Sequence, residues 1–197
     1  MQSIWNFVTD FGDTAVTVPL ALLMVGFLVA LKQPRLAVGW GLAIVGCAGA
    51  IGALKIILDA CGHSLVGPGL SSPSGHAAMS TAVYGGFAAV TGATLARPAR
   101  EAVIAGTAVL IVVIALSRVI LGAHSPVEVA IGFVVGIAAL AVILAVVTRY
   151  RPVWLPVVWL AALALVVAML FHGERWPAEQ AVHHLGGRFD FLRLWCG

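Results

Sequence analysis

Two basic residues and two histidines lie where apolar segments of the sequence end, which is a costly place for an ionisable side chain. Lys55 and Arg118 each lie about one turn from the end of an apolar run, and His76 and His124 lie in or beside the adjoining polar segments. Imidazole gives and takes a proton near neutral pH, so both histidines are candidates for acid–base or nucleophilic chemistry. Each basic side chain could instead snorkel to lipid headgroups. Their matching depth beside two histidines favours one shared functional site.

Residues 73–76, with the sequence Pro-Ser-Gly-His, have the composition of a helix start that binds an anion. Ser74 stands where an N-cap belongs, and Gly75 would let a ligand approach the backbone closely. The free N–H groups and the positive dipole end of a helix start favour anions, above all phosphate. Ser74 could also do no more than cap its own helix, and the sequence leaves both roles open.

The segment "SRVILGAHSPVE" contains a second helix start. Ser125, Pro126 and Glu128 fit an N-cap, a first helical position and the acidic residue of a capping box. His124 lies four residues before Glu128, so the carboxylate could also hold one imidazole nitrogen and leave the other free to attack a substrate. Whether Glu128 orients His124 or only closes the capping box is not decided by the sequence.

The composition indicates that these residues are positioned by membrane helices. Of 197 residues, 61% are hydrophobic and 10% are charged, and the mean hydropathy is +1.07, which excludes an ordinary water-soluble domain. Six apolar runs approach the roughly 20 residues that an α-helix needs to cross a bilayer. They cover approximately residues 14–31, 36–58, 75–96, 101–121, 126–148 and 153–171.

The sequence therefore predicts an all-α integral membrane protein with a six-transmembrane-helix bundle. Its basic loops lie on one side, which the positive-inside tendency makes cytoplasmic, so both termini and the loops 59–74 and 122–125 are expected on the outer, periplasmic side. We predict an interfacial N-terminal segment over residues 1–13, the bundle over 14–171 and an outer-side amphipathic tail over 172–197. The basic loops contain Lys32 and Arg35, Arg97 and Arg100, and Arg149 and Arg151.

Glycines recur at helical spacing in two of the predicted segments. Gly132 and Gly136 lie in the fifth, and Gly46, Gly49 and Gly52 lie in the second. Small residues at such spacing are typical of membrane helices that pack closely. We therefore expect both sets to mediate helix contacts.

The order and spacing of the polar residues resemble the three-part signature of the type 2 phosphatidic acid phosphatase family, which shares its core with vanadium haloperoxidases. Lys55 matches the first part, residues 73–76 match the second fully, and Ser117-Arg118 followed by His124 matches the third. The resemblance covers approximately residues 14–171.

The resemblance implies a specific phosphoryl-transfer chemistry. His124 would attack phosphorus and form a phosphohistidine, while His76 would protonate the leaving oxygen and later activate water. Neither a metal nor another cofactor is expected. Positive charge and N–H donors around the equatorial oxygens would stabilise the transferring group. In the family pattern these come from Lys55, Ser74, Gly75 and Arg118.

Two departures from the family pattern affect the expected site. The arginine of the first part is replaced, since Gly62-His63 stands where the family has Arg-Pro, and the aspartate of the third part is replaced by Glu128. Candidates to supply the missing charge are His63, one residue away, and the tail arginines Arg175, Arg188 and Arg193. The tail could equally be a membrane-surface segment without a catalytic role. A disulfide between Cys61 and Cys196 would tie that tail to the loop above the site.

The expected function is a lipid phosphate or pyrophosphate phosphatase at the outer face of a bacterial inner membrane. A phosphate site at the membrane boundary suits a substrate whose tail stays among membrane lipids, and undecaprenyl pyrophosphate is one candidate. Nucleic acid is not an expected partner. Two alternatives remain, namely a lipid phosphotransferase that uses the same phosphohistidine and a non-catalytic lipid-phosphate binder or transporter.

Overall fold

Seven α-helices make up the described part of the chain. The computed structural model describes residues 2–65, 72–152 and 155–176, and among these it contains no strand. The helices are α1 (Gln2–Asp10), α2 (Thr14–Ala30), α3 (Pro34–Leu65), α4 (Gly75–Gly92), α5 (Arg97–Ile120), α6 (Pro126–Tyr150) and α7 (Val157–Phe171). Helices α2 to α7 correspond in order to the six predicted apolar segments, and α1 forms within the predicted interfacial segment.

The helices have the length and composition of membrane segments. Four described stretches are long and apolar enough to cross a bilayer, namely Gln2–Ala30, Pro34–Leu58, Arg97–Ile120 and Pro126–Tyr150. Helix α7 is apolar but shorter, with 15 residues. The prediction of an all-helical membrane protein is confirmed at this level. The six crossings, the sides of the termini and the three-part division of the chain stay predictions.

Helix α4 occupies the centre of the bundle. It packs against α2, α3, α5 and α6, and 13 of its 18 residues are buried. Two of its threonine hydroxyls bond within the helix, since Thr81 Oγ1 donates to the Ala77 carbonyl at 2.7 Å and Thr91 Oγ1 donates to the Phe87 carbonyl at 2.7 Å. Surrounded by protein, α4 needs no lipid-facing apolar surface.

The two glycine sets behave differently. A Cβ atom at Gly132 would collide with the Ser74 carbonyl oxygen, and one at Gly136 would lie 2.6 Å from the Ala78 carbonyl oxygen, so α6 lies directly against the backbone of α4. At Gly46, Gly49 and Gly52 an added Cβ would meet no atom of the described residues within 4 Å. The prediction of close packing is confirmed for the first set and wrong for the second, because glycine spacing does not reveal what lies opposite.

The N-terminal helix α1 lies at the end of the bundle at which α2, α4 and α6 begin. It packs against α5, and the residue after it, Phe11, accepts a 2.6 Å hydrogen bond from the Tyr84 hydroxyl through its carbonyl. The ring of His172, just after α7, lies against the rings of Phe7 and Phe11, with centroids 4.4 and 4.7 Å away. Segments from both ends of the chain therefore meet over this end of the bundle.

Candidate active site

A cavity of about 280 Å³ opens at this end of the bundle and brings most of the predicted site residues together. Helix α5 contributes Arg118 near its C-terminal end, α3 contributes residues of its middle part between Ala48 and Lys55, and α2 and α4 contribute their N-terminal turns. Five of the seven predicted catalytic and phosphate-binding residues line it, namely Lys55, Gly75, His76, Arg118 and His124. Residues from four different stretches of sequence thus converge on one space that can hold a phosphate group.

The carboxylate of Glu128 contacts the imidazole ring of His124. The Nδ1 atom of His124 lies 3.3 Å from Glu128 Oε2, and both side chains are only 6% exposed. With Nδ1 directed at the carboxylate, Nε2 is the remaining nitrogen of a ring that lines the cavity. A nucleophile oriented in this way by a third group is the arrangement expected of an activated histidine.

Glu128 serves both roles between which the sequence could not decide. Its Oε2 accepts a 2.9 Å hydrogen bond from the Ser125 N–H, and the Ser125 hydroxyl accepts one from the Glu128 N–H at 3.3 Å, which completes the capping box. The same Oε2 faces His124, and Oε1 accepts the Ser72 N–H at 2.9 Å. One buried carboxylate therefore caps α6, orients His124 and fixes the segment that leads into α4.

The surroundings of His124 favour its neutral, nucleophilic form. Burial of the ring and the neighbouring Arg118 guanidinium lower the pKa of His124 below its ordinary value of 6.5, and the hydrogen bond to Glu128 opposes this shift. A neutral imidazole keeps the lone pair that attack on phosphorus requires.

Ser74 is the N-cap residue of α4 and directly precedes Gly75, which lines the cavity. Its side chain is fully buried, and its hydroxyl accepts a hydrogen bond from the Ala77 N–H at 3.4 Å. The Ser74 N–H donates to the Glu128 carbonyl at 3.0 Å. The capping role is therefore present, and contact of the Ser74 hydroxyl with a phosphate stays a prediction. Gly75 leaves the space above it open, since an added Cβ would meet only Ile51 at 3.8 Å.

Arg118 is positioned by the N-terminal helix. Its Nη1 donates a 3.0 Å hydrogen bond to the hydroxyl of Thr9, a buried residue near the end of α1. The half-buried Lys55 lines the same cavity. Two basic side chains from different helices thus face one space, as predicted. The predicted place of Lys55 one turn from the end of its helix is wrong, because α3 continues ten residues further, to Leu65.

The structure adds a carboxylate that sequence reasoning missed. Asp13 lines the cavity, and its Oδ2 lies 3.7 Å from the Nε2 of His76. One sequence feature could have indicated it. Asp13-Thr14 stands directly before an apolar run, which is the pattern of a helix N-cap, at the same end of the bundle as the other site residues. Nothing in its spacing relates it to the other motifs.

The residues proposed to replace the missing arginine are only partly described. Arg175 is 68% exposed, lies 3.7 Å from Asp10 and does not line the cavity, whereas the neighbouring Trp176 does. The side chains of His63 and Cys61, and all of Arg188, Arg193 and Cys196, lie outside the described residues. The charge replacement and the disulfide stay predictions.

Substitutions of Glu128 test whether its carboxylate orients His124. We expect Glu128→Ala to slow phosphate release by about a hundredfold or more, because such orienting contacts are worth roughly that much. Glu128→Asp retains the carboxylate and should keep most of the activity. Steady-state rates of the three proteins, with thermal unfolding to monitor the cap, would measure this. Equal activity in all three would reduce Glu128 to a capping residue.

Comparison with known proteins agrees with the geometry. The sequence model of the PAP2 superfamily matches residues 54–152, a range that includes all seven predicted catalytic and phosphate-binding residues but not Thr9 or Asp13. The chain is also 31% identical over 181 residues to an "Uncharacterized 22.5 kDa protein in cps region" of Klebsiella pneumoniae, with 89% of this chain and 86% of that protein covered. No solved structure matches the chain significantly. With half of its length matched and its motif residues gathered around one cavity, the chain belongs to the PAP2 superfamily.

Proposed function

We propose that the protein is a membrane lipid phosphate phosphatase that releases phosphate, or cleaves a pyrophosphate, through a phosphohistidine on His124. Membership of the PAP2 superfamily supports phosphatase-type activity on phosphate esters. The active site would face the periplasm at the outer face of a bacterial inner membrane, as the distribution of basic loops favours.

The observation that carries the proposal is the mixed character of the cavity. Its polar end contains both histidines, Lys55 and Arg118, and an apolar wall continues along α3 through Ile51 and Gly52 to Ala48. From Lys55 to Ala48 this wall extends about 10 Å at the rise of an α-helix. Ala48 is exposed on the surface of α3. A ligand with a phosphate head and an alkyl chain fits such a space, because each part meets groups of its own polarity.

In the proposed reaction the two histidines have different roles. Neutral His124 attacks phosphorus through Nε2, the bond to the lipid oxygen breaks, and protonated His76 gives its proton to that oxygen, so that the lipid alcohol leaves. Water then attacks the phosphohistidine and gives a proton to His76, which releases phosphate and restores both histidines. Lys55, Arg118 and the Gly75 N–H stabilise the charge on the equatorial oxygens.

Phosphate release by the purified protein, assayed on lipid phosphates and on a small water-soluble phosphate ester, tests the proposal. Gly52→Leu would place a side chain in the open space beside the apolar wall. We expect it to reduce lipid phosphate hydrolysis about tenfold or more, as lost or blocked apolar contacts commonly do, and to affect the small ester much less. Gly46→Leu, on an exposed part of the same helix, is the matched control.

The same assay distinguishes the alternatives. Transfer of phosphate to another lipid, with no free phosphate, would indicate a phosphotransferase. Binding of lipid phosphates without either product would indicate a binder or transporter. A panel that includes undecaprenyl pyrophosphate and phosphatidic acid would identify the preferred substrate, and an equal loss of both activities in Gly52→Leu would contradict an alkyl chain along α3.

A further inference from the structure

The segment between α1 and α2 contributes a carboxylate to the cavity from outside the region that the superfamily model matches. Asp13 Oδ1 accepts hydrogen bonds from the Ala15 N–H at 2.8 Å and from the Thr14 hydroxyl at 3.3 Å, so this oxygen is held by the start of α2. Oδ2 is turned toward His76 Nε2, 3.7 Å away. The carboxyl group therefore has a fixed direction set by the helix that it caps.

The same segment also seats the His76 ring. A Cβ atom at Gly12 would lie 3.1 Å from His76 Cδ2, 3.1 Å from Ser80 Oγ and 2.6 Å from Ile114 Cγ2, so the backbone at Gly12 is in direct contact with the ring. The side chains of His76 and Asp13 are 20% and 14% exposed. Ring and carboxylate thus meet in a largely enclosed place where charge interactions are stronger than in water.

The positive charges around His76 indicate what its contact with Asp13 does. Lys55 and Arg118 line the same cavity, as does His124, and Arg175 lies near enough to act on His76 electrostatically. Burial of the ring first, and then these positive neighbours, disfavour a positive charge on the imidazole, yet a general acid must carry its proton when the substrate is bound. Among the described residues that line the cavity, Asp13 is the only acidic one.

We propose that Asp13 is a positioning residue for His76, which it orients and holds in the protonated form that donates to the leaving oxygen. This inference rests on the proposed function. As the phosphorus–oxygen bond to the lipid breaks and the bond to His124 forms, the proton passes to the leaving oxygen from His76 Nδ1, the nitrogen that does not face Asp13. When water attacks the phosphohistidine, its proton passes to His76. Asp13 stays a carboxylate throughout and stabilises each imidazolium.

Asp13→Asn isolates this role, because asparagine caps a helix about as well as aspartate and should preserve the start of α2. An alkyl phosphate has a poor leaving group that needs a general acid, whereas the 4-nitrophenolate of 4-nitrophenyl phosphate leaves without one. We expect Asp13→Asn to slow the alkyl phosphate about 10- to 100-fold, a part of the roughly 100- to 10,000-fold that acid–base catalysis contributes, and to slow 4-nitrophenyl phosphate several-fold less. Asp10→Asn removes the same charge one turn earlier and should leave the ratio of the two rates unchanged.

Two further measurements separate positioning from a structural role. Without the carboxylate, His76 loses its proton more easily, so the high-pH limb of kcat/KM for the alkyl phosphate should move to lower pH in Asp13→Asn. In a His76→Ala background, Asp13→Asn should cause no additional loss. Equal slowing of both substrates, an unmoved limb or additive losses would overturn the inference while the proposed function stands. No phosphate release by the wild-type protein would overturn both.

Discussion

Replacing His124 with alanine is expected to reduce phosphate release by about a thousandfold or more, because removal of a covalent nucleophile typically costs at least that much. The protein should still fold, since the backbone N–H of His124 bonds to the Arg118 carbonyl at 3.2 Å and does not depend on the side chain. Phosphate release and thermal unfolding, measured on the same preparations, would check both parts. His172→Ala, which changes a histidine that does not line the cavity, is the matched control.

A second readout identifies the intermediate. Wild-type protein mixed with a labelled substrate and quenched in base should carry labelled phosphate, since a phosphohistidine survives base and hydrolyses in acid. His124→Ala should carry none. Labelled protein in the alanine variant would contradict the assignment of His124 as the nucleophile, whatever its rate of phosphate release.

Gly132→Ala is expected to damage both the fold and the activity, although it adds a single methyl group. The new Cβ would collide with the Ser74 carbonyl oxygen and lie 3.2 Å from the Ala77 Cβ, so α6 and the start of α4 must separate. We expect the free energy of unfolding to fall by about 1–3 kcal/mol, as overpacking of an interior usually costs. Activity should fall further, because the displaced turn holds Gly75 and His76.

The control for this change is Gly46→Ala, where the added methyl group meets no atom of the described residues. Alanine is the better helix former by about 1 kcal/mol, so this variant should be as stable as the wild type or more stable. Thermal or denaturant unfolding in a fixed detergent, together with phosphate release, would compare the two. Equal stability of both variants would show that α6 does not lie against the backbone of α4.

Much of the candidate site could be predicted because its chemistry is encoded in local patterns. Residues 73–76 and 125–128 are helix starts that can be recognised from a few neighbouring residues, and the structure has both caps where they were expected. That Lys55 and Arg118 face one space was expected from their places near the ends of two apolar runs. Such features depend on helix geometry and the thickness of a membrane, and both are known before any fold is.

What could not be predicted depends on which surfaces meet. Thr9 contacts Arg118 across 109 positions of sequence, and Asp13 reaches His76 only because α1 lies over the end of the bundle. No spacing rule links these residues. The glycines of α3 failed as a packing signal for the same reason, since a helix face rich in glycine can meet a neighbouring helix, a cavity or lipid. The contact of Glu128 with the Ser72 N–H likewise joins distant parts of the sequence, and no local pattern predicts it.

The bonds between Glu128 and the chain before α4 have a consequence for how the two histidines are held relative to each other. The Ser72 and Ser74 N–H groups both bond to Glu128, through its side chain and its carbonyl respectively, so the starts of α4 and α6 are fastened to each other. His76 and His124 lie beside these two starts, so the same bonds fix how far apart the two histidines are. A substitution that loosens Glu128 would therefore disturb both histidines together, although Glu128 touches only one of them.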